Sequence, residues 1–583
     1  MRRLFKFLKP YRIGIIVVFI LVGLRAFLDL LLPLILGMLV SQGIGLTAEA
    51  INPDIPRIWE LAFVMLGVTV FSIVITIFSG LLESRISAGF ALDLRRAVYR
   101  KIEQFSMREM DHFTTSSLIT RSTNDIQQLQ NYVNVLLRMI ILQPVLAVGA
   151  IAFSIAQQPT LSMLLIASVL SLLIMLVIVF SLTLPKFQLI QKLIDRLNLV
   201  TRENMSGLRV VRAFNTQAFQ AARIDKASKE TMTLNIFVNR VFSIMWPIMA
   251  LIMGFTSLAI VYFGSRYFIG IDGFDPGSMI ALMQYAMRAI MAFMFLTMIF
   301  VMIPRAAISA RRIAEVLAMD VEITNPEHPL TYDETPKGEV VFDDVCFQYP
   351  DASVPVLDKI SFTAPAGKTT AFIGSTGSGK STLINLIPRF YERTCGTIKI
   401  DGIDIKDLLL EDLFKLLGYV PQRGVLFSGT VKENILFGNE DFDEEVMEAS
   451  AKIAQADTFI RDFEHGYERL IAQGGVNVSG GQKQRLSIAR AIAKQPVIYI
   501  FDDSFSALDY STDQKLRKLL AEKVQATKLI VAQRIATIRH ADQIIVLDQG
   551  RIVGMGRHED LLKTCAVYQE IAQSQLSKEE LEA

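Results

Sequence analysis

In the first 305 residues, apolar positions run together instead of alternating with polar ones. Six stretches, Ile13–Val40, Ile58–Leu82, Val133–Ala156, Leu161–Leu184, Val241–Phe263 and Met279–Ile303, each reach the roughly 20 residues that a helix needs to cross a bilayer. Two polar intervals, Glu83–Tyr132 and Pro185–Arg240, are nearly free of Pro and Gly and patterned like helices. They should continue the spans beyond the bilayer and present docking corners near Met107–Thr115 and Ala213–Phe219. Between Asp320 and Gly338 the apolar pattern collapses around prolines 326, 329 and 336, the mark of a linker. From Glu339 onward, short β-rich runs (VVFDDV, TTAFI, VIYIF, KLIVA) alternate with helical stretches. That rhythm predicts an α/β fold around a largely parallel sheet. The expected organisation is a membrane all-α domain over 1–320, with six transmembrane helices and long cytoplasmic extensions, a linker over 321–338 and an α/β domain over 339–583.

Composition sharpens this picture. The 583 residues exceed the roughly 250 to 300 that one core supports, and the hydrophobic share of 52% is high because of the first half. A net charge of +2, with no dense basic run, argues against a nucleic-acid partner. Arg2, Arg3, Lys6, Lys9 and Arg12, together with the basic inner loops, place both termini and the α/β domain in the cytoplasm by the positive-inside rule, beneath a plasma (inner) membrane. Ile13–Val40 is too long for the apolar core of a signal peptide and is expected to remain as a span. In a reducing compartment Cys346, Cys395 and Cys565 are expected as free thiols.

Charges inside spans are costly and face protein or water. Arg25 and Asp29, four apart, can neutralise each other on one helix face. Arg288 either lines an aqueous cavity or pairs across helices. In the sixth span Met279, Met283, Met287, Met291, Met294, Met298 and Met302 recur every three or four residues, forming either a packing seam or an adaptable surface for apolar ligands.

The most specific chemistry is GSTGSGKST at 374–382. Gly374, Ser375, Thr376, Gly377, Ser378, Gly379, Lys380, Ser381 and Thr382 form a loop whose glycines let backbone N–H groups approach phosphates. Lys380 would reach the β- and γ-phosphates, and the Ser381 hydroxyl would bind Mg²⁺. The apolar strand Val497–Asp502 ends in a carboxylate, and Asp502 in that position can hold Mg²⁺ through water.

With YVPQ around Gln422, VSGGQ at 478–482, SALD at 506–509 and VAQR at 531–534, this half resembles an ABC transporter nucleotide-binding domain of P-loop ATPase fold. The six spans with two long inner loops resemble the membrane half of an ABC exporter. The resemblance implies that Tyr349 stacks on adenine and that Gln422 approaches Mg²⁺. It also implies that Ser479, Gly480, Gly481 and Gln482 cap an ATP held by a second half-transporter chain. ATP and Mg²⁺ are then the cofactors, and a dimer is required. Two positions depart from the family pattern. Asp503 stands where a water-polarising Glu is expected, and a carboxylate pulled back by more than about 1 Å can cost about a hundredfold in rate. Gln533 replaces a His and cannot carry its positive charge. Gln473 stands for an acid before the signature. Asp503, Gln533 and Gln422 make up the catalytic set of a slow site, whereas Gln473 bears on coupling to the membrane domain. The expected function is export of small apolar or amphipathic substrates across the lipid bilayer by a heterodimer, with a weakly active homodimer still possible. A lipid or peptide translocator and an ATP-gated, channel-like subunit are the alternatives.

Overall fold

A computed structural model of the chain describes residues 4–44, 53–270, 276–350, 352–438 and 443–575. Side chains at 188, 267–270, 296–301 and 304 lie outside the description. Two compact units emerge, one of Met1–Glu103 and Ser116–Ala318, the other of Gln104–Thr115 and Met319–Ala583.

In the first unit, six helices among the described residues are long and apolar enough to cross a membrane: Leu4–Gly43, Ile55–Glu103, Thr115–Gln157, Pro159–Ser206, Gln217–Arg266 and Pro276–Phe295. The second contains 49 residues; at about 1.5 Å per residue it extends more than twice the roughly 30 Å of a hydrocarbon core. That extension is continuous helix, as are those of Pro159–Ser206, with 48 residues, and Gln217–Gly270, with 54. The third is segmented into Thr115–Ser122, Asn124–Met139 and Leu142–Gln157, with Thr123 out of helical geometry at φ −113° and ψ −81°. Small residues Ala281, Ala286 and Ala289 of the sixth helix are buried with Leu30, Leu165 and Ile260, which lets neighbouring helices approach closely. The buried Tyr285 hydroxyl donates to the Leu30 carbonyl at 3.0 Å.

The intramembrane charges divide into two cases. Arg25 Nε lies 3.7 Å from Asp29 Oδ2, and Ser72 donates to Asp29 Oδ1 at 2.9 Å, so that pair is neutralised locally. Arg288 Nε is buried without a hydrogen-bond partner among the described residues. The methionine stripe also divides. Met279, Met283 and Met294 pack against buried clusters, whereas Met287 and Met291 are exposed by 42% and 43%. Met298 falls among the side chains outside the description.

The second unit is built on three sheets. Its strands are β1 (Val340–Phe347), β2 (Leu357–Ala364), β3 (Thr369–Gly374), β4 (Cys395–Ile400), β5 (Ile403–Asp404), β6 (Leu417–Val420), β7 (Gly429–Thr430), β8 (Leu470–Ile471), β9 (Ile498–Asp502), β10 (Thr527–Val531), β11 (Gln543–Asp548) and β12 (Arg551–Gly556). The largest sheet has the order β12-β11-β3-β10-β9-β6, parallel throughout except for the β11–β12 pair. Every residue of β9 and β10 is buried, as continuous apolar runs require in a sheet covered on both faces. A second sheet, β2-β1-β4-β5, pairs antiparallel. The short helix Met107–Phe113 belongs to this unit. Met107 N donates to the Phe390 carbonyl at 3.1 Å, Tyr391 donates to Asp111 Oδ2 at 2.8 Å, and Arg108 pairs with Glu322 at 2.7 Å. At the other corner, in the first unit, Phe214 and Phe219 are exposed.

One expectation is overturned. Cys346 and Cys395 are joined by a disulfide, and only Cys565, buried, is free. The β1–β4 register sets the two directly opposite each other, with Cα atoms 4.9 Å apart, within the span a disulfide bridges. A sequence separation of 49 hides such a pairing.

Candidate functional site

Because β3, β9 and β10 are parallel neighbours, their carboxyl ends deliver three chain segments to one place, where ligands gather in open α/β sheets. The end of β3 leads into Gly374–Thr382, β9 ends at Asp502 followed by Asp503, and Gln533 lies two residues beyond β10. A Cβ on Gly374 would overlap the Leu547 carbonyl oxygen, so the strand can enter the loop only without a side chain. Gly379 has φ +97°, a conformation that L residues rarely adopt, and helix Lys380–Leu386 starts from it.

Within the loop, Lys380 Nζ donates to the carbonyls of Gly374 at 2.9 Å and Ser375 at 2.7 Å, and to Ser378 Oγ at 3.3 Å. Burial holds the Lys380 pKa below the ordinary lysine value, while the charges of Asp503 and Asp502 work against that shift. The Ser381 hydroxyl donates to Asp502 Oδ1 at 2.8 Å. Burial pushes the Asp502 carboxyl up, with the neighbouring Asp503 charge adding to it and Ser381 and Lys380 opposing. These donors fit Mg²⁺: a hydroxyl and a carboxylate are hard oxygen ligands, and such a site takes its remaining ligands from water and phosphate. Among the described residues no cluster of three His, Cys, Asp or Glu side chains could hold a metal by itself.

Tyr349, at the far edge of the loop, is bonded through its hydroxyl to Thr382 Oγ1 at 3.1 Å. Its ring stands edge-on to Phe347 and Tyr391, at 4.8 and 5.3 Å between centroids. Three aromatic rings thus brace one another where a planar base could stack.

At the opposite end, Asp503 is 6% exposed and left-handed at φ +46°, a conformation Asp tolerates better than most residues. Its Oδ2 accepts two amide hydrogen bonds, from Gln422 Nε2 at 3.1 Å and Gln533 Nε2 at 2.9 Å. Burial raises the Asp503 pKa; the Gln422 and Ser506 hydrogen bonds oppose it most, followed by Lys380 and Arg534. No imidazole takes part.

Ser479 is the N-cap of helix Gly480–Ala493. Its Oγ accepts from Gln482 N at 3.3 Å, and its own N–H donates to Gln482 Oε1 at 2.9 Å, a reciprocal capping box. Ser479 and Gly480 are exposed, and among the described residues no hydrogen bond joins 479–482 to 374–382.

Two positioning residues escaped the sequence reading. Gln484, buried, donates to the Pro421 carbonyl at 3.0 Å and accepts from Gly424 N at 2.9 Å, fixing the loop that carries Gln422. Gln575 donates to the Gln533 carbonyl at 2.8 Å and accepts from Ile535 N at 2.9 Å. Neither lies in a motif, so no sequence signal marked them.

Comparison with known proteins bears on the family and the fold of the chain. Residues 15–294 match the model of the ABC transporter transmembrane region, and 357–506 match that of the ABC transporter. The chain is 39% identical to the uncharacterized ABC transporter ATP-binding protein Rv1273c of Mycobacterium tuberculosis, over 97% of each chain. It is 35% identical to YfiB of Bacillus subtilis, over 99% of each. Its fold is similar to that of a bacterial Atm1-family ABC exporter with ATP bound, at a TM-score of 0.79 and 23% identity, covering 97% of this chain and 99% of that one.

Proposed function

The chain belongs to the ABC transporter family as a half-transporter in which a membrane-spanning domain precedes an ABC ATPase domain, and on that premise we propose that it exports apolar or amphipathic compounds as one subunit of a heterodimer. In this reading Gly374–Thr382 holds ATP, with Tyr349 against adenine and Lys380 on the β- and γ-phosphates. Ser381, Gln422 and Asp502 would hold Mg²⁺, which neutralises phosphate charge when bound. Ser479, Gly480, Gly481 and Gln482 cap the nucleotide of the partner. The ATPase domain and both termini lie on the cytoplasmic side of the plasma membrane. Exposed Met287 and Met291 in the sixth span support an apolar substrate surface.

The observation that carries the slow-site reading is the capture of Asp503 Oδ2 by two glutamine amides. A general base must offer a free lone pair to the attacking water and must reach it. Asp503 is one methylene short of Glu, and one of its oxygens is already engaged. A neutral Gln533 amide donates a hydrogen bond but adds no positive charge beside a γ-phosphate. Binding therefore survives while turnover drops, and hydrolysis falls mainly to the partner's loop under Ser479.

ATPase activity of this chain purified alone, against that of a co-purified pair with a second half-transporter, tests the reading. The pair is expected to turn over at least about tenfold faster, as a roughly 1 Å misplacement of the base at both sites would require. Equal rates would overturn it.

A further inference from the structure

We propose that Cys346 and Cys395 are a reversible thiol–disulfide pair that adjusts ATP affinity at the Tyr349 side of the site. This goes beyond the transport reading and rests on the reading of Tyr349 as the side chain on which the base of ATP stacks.

The pair is placed by a local irregularity in β1. Pairing of β1 with β4 shifts register between Asp343 and Cys346, and Asp344 takes a left-handed φ of +48°. Such bulges re-aim the side chains that follow; here Cys346 comes to face Cys395. Cys395 is exposed and Cys346 half-buried, so both are open to small reagents. The reduced form is accommodated as well, because the Asp344 carbonyl oxygen lies 3.3 Å from Cys395 Sγ and 3.9 Å from Cys346 Sγ, ready to accept from a thiol. Disulfides in reducing compartments are typically transient and redox-sensing, and exposed ones exchange most readily.

The location gives the pair its effect. Tyr349 lies three residues after Cys346, and Tyr391 four before Cys395; their rings meet at 5.3 Å. Besides the β1–β4 ladder, the end of β1 is tied to the start of β4 by noncovalent contacts: Thr394 N to the Cys346 carbonyl at 2.9 Å, Gln348 N to Thr394 Oγ1 at 3.2 Å, and the Tyr391 ring against Phe347 and Tyr349. The covalent link stiffens the strand ends that hold both tyrosines. The oxidised form then loses less conformational freedom when a base stacks on Tyr349, and it binds ATP more tightly.

The oxidant is a low-molecular-weight disulfide such as oxidised glutathione. The more exposed Cys395 thiolate attacks one sulfur of it, forming a mixed disulfide and releasing one thiolate. The Cys346 thiolate then displaces the second. Two protein thiols are oxidised to one disulfide, and two electrons reduce the small disulfide to two thiols; dithiothreitol reverses the sequence.

The experiment uses the full-length chain in lipid nanodiscs, equilibrated with oxidised glutathione or with dithiothreitol. Iodoacetamide labelling after denaturation counts free thiols by mass, and ATP affinity is measured without hydrolysis in Mg²⁺-free buffer. Expected are three labelled cysteines after reduction and one after oxidation, with ATP bound about threefold tighter by the oxidised form. The Cys346→Ser/Cys395→Ser double variant, which keeps neither thiol of the pair, should show no difference between the two treatments. Reversal of the same wild-type sample by dithiothreitol serves if a serine variant does not fold. Three labelled cysteines under both treatments, or equal ATP affinities with the disulfide formed, would each overturn the proposal. Absence of ATP binding in both forms would instead count against the nucleotide-site reading and, with it, against this one.

Discussion

On one side of the candidate ATP site, Lys380, Ser381 and the backbone of Gly374–Thr382 present donors that suit polyphosphate, with Asp502 bonded to Ser381. On the other, Gln422 and Gln533 both point their amides at Asp503. The first side needs charge and backbone N–H groups, and its residue types supply them. The second needs a well-reached base and a charge that responds to the γ-phosphate, and here it has a short carboxylate between two neutral amides. Holding nucleotide and splitting it are separate demands, and one chain can keep the first while relaxing the second.

The sharpest way to break this contrast is Lys380→Ala. It removes the loop's cation, and since a charge-assisted hydrogen bond contributes about 1.5 to 3 kcal/mol, ATP affinity should fall about 10- to 100-fold in equilibrium binding. Retained affinity would mean that the loop does not hold the phosphates. Next comes Asp503→Glu with Gln533→His. Restoring reach and charge should raise the ATPase rate of the chain alone by about 10- to 100-fold while leaving ATP affinity within about threefold. A parallel rise in affinity would show that the two sides are not separable. The smallest effect is expected from Gln575→Ala. Loss of its bonds to Gln533 and Ile535, at about 1 kcal/mol, should speed hydrogen exchange at the Ile535 amide about fivefold without changing exchange at β3.

Much of this arrangement was legible in the sequence, for reasons that differ by region. The membrane helices announce themselves because a bilayer demands long apolar runs, and the parallel strands because burial on both faces demands short ones. The segmentation of the third helix at Thr123 has no such signature, since a break in polar helix changes no hydrophobic pattern. Motif residues were visible because phosphate chemistry narrows the choice at each position. Gln484 and Gln575 were not, because a positioning amide can come from anywhere the fold brings it. The same holds for Cys346 and Cys395, whose meeting depends on a bulge and a strand register that spacing does not encode.

Gln575 has a practical corollary. The last turn of helix Ala566–Gln575 grips the segment that carries Gln533, so a purification handle or a truncation placed here is a perturbation of the candidate catalytic corner. Turnover measured on a preparation altered at this end would mix the chemistry of Asp503 with the mechanics of the graft.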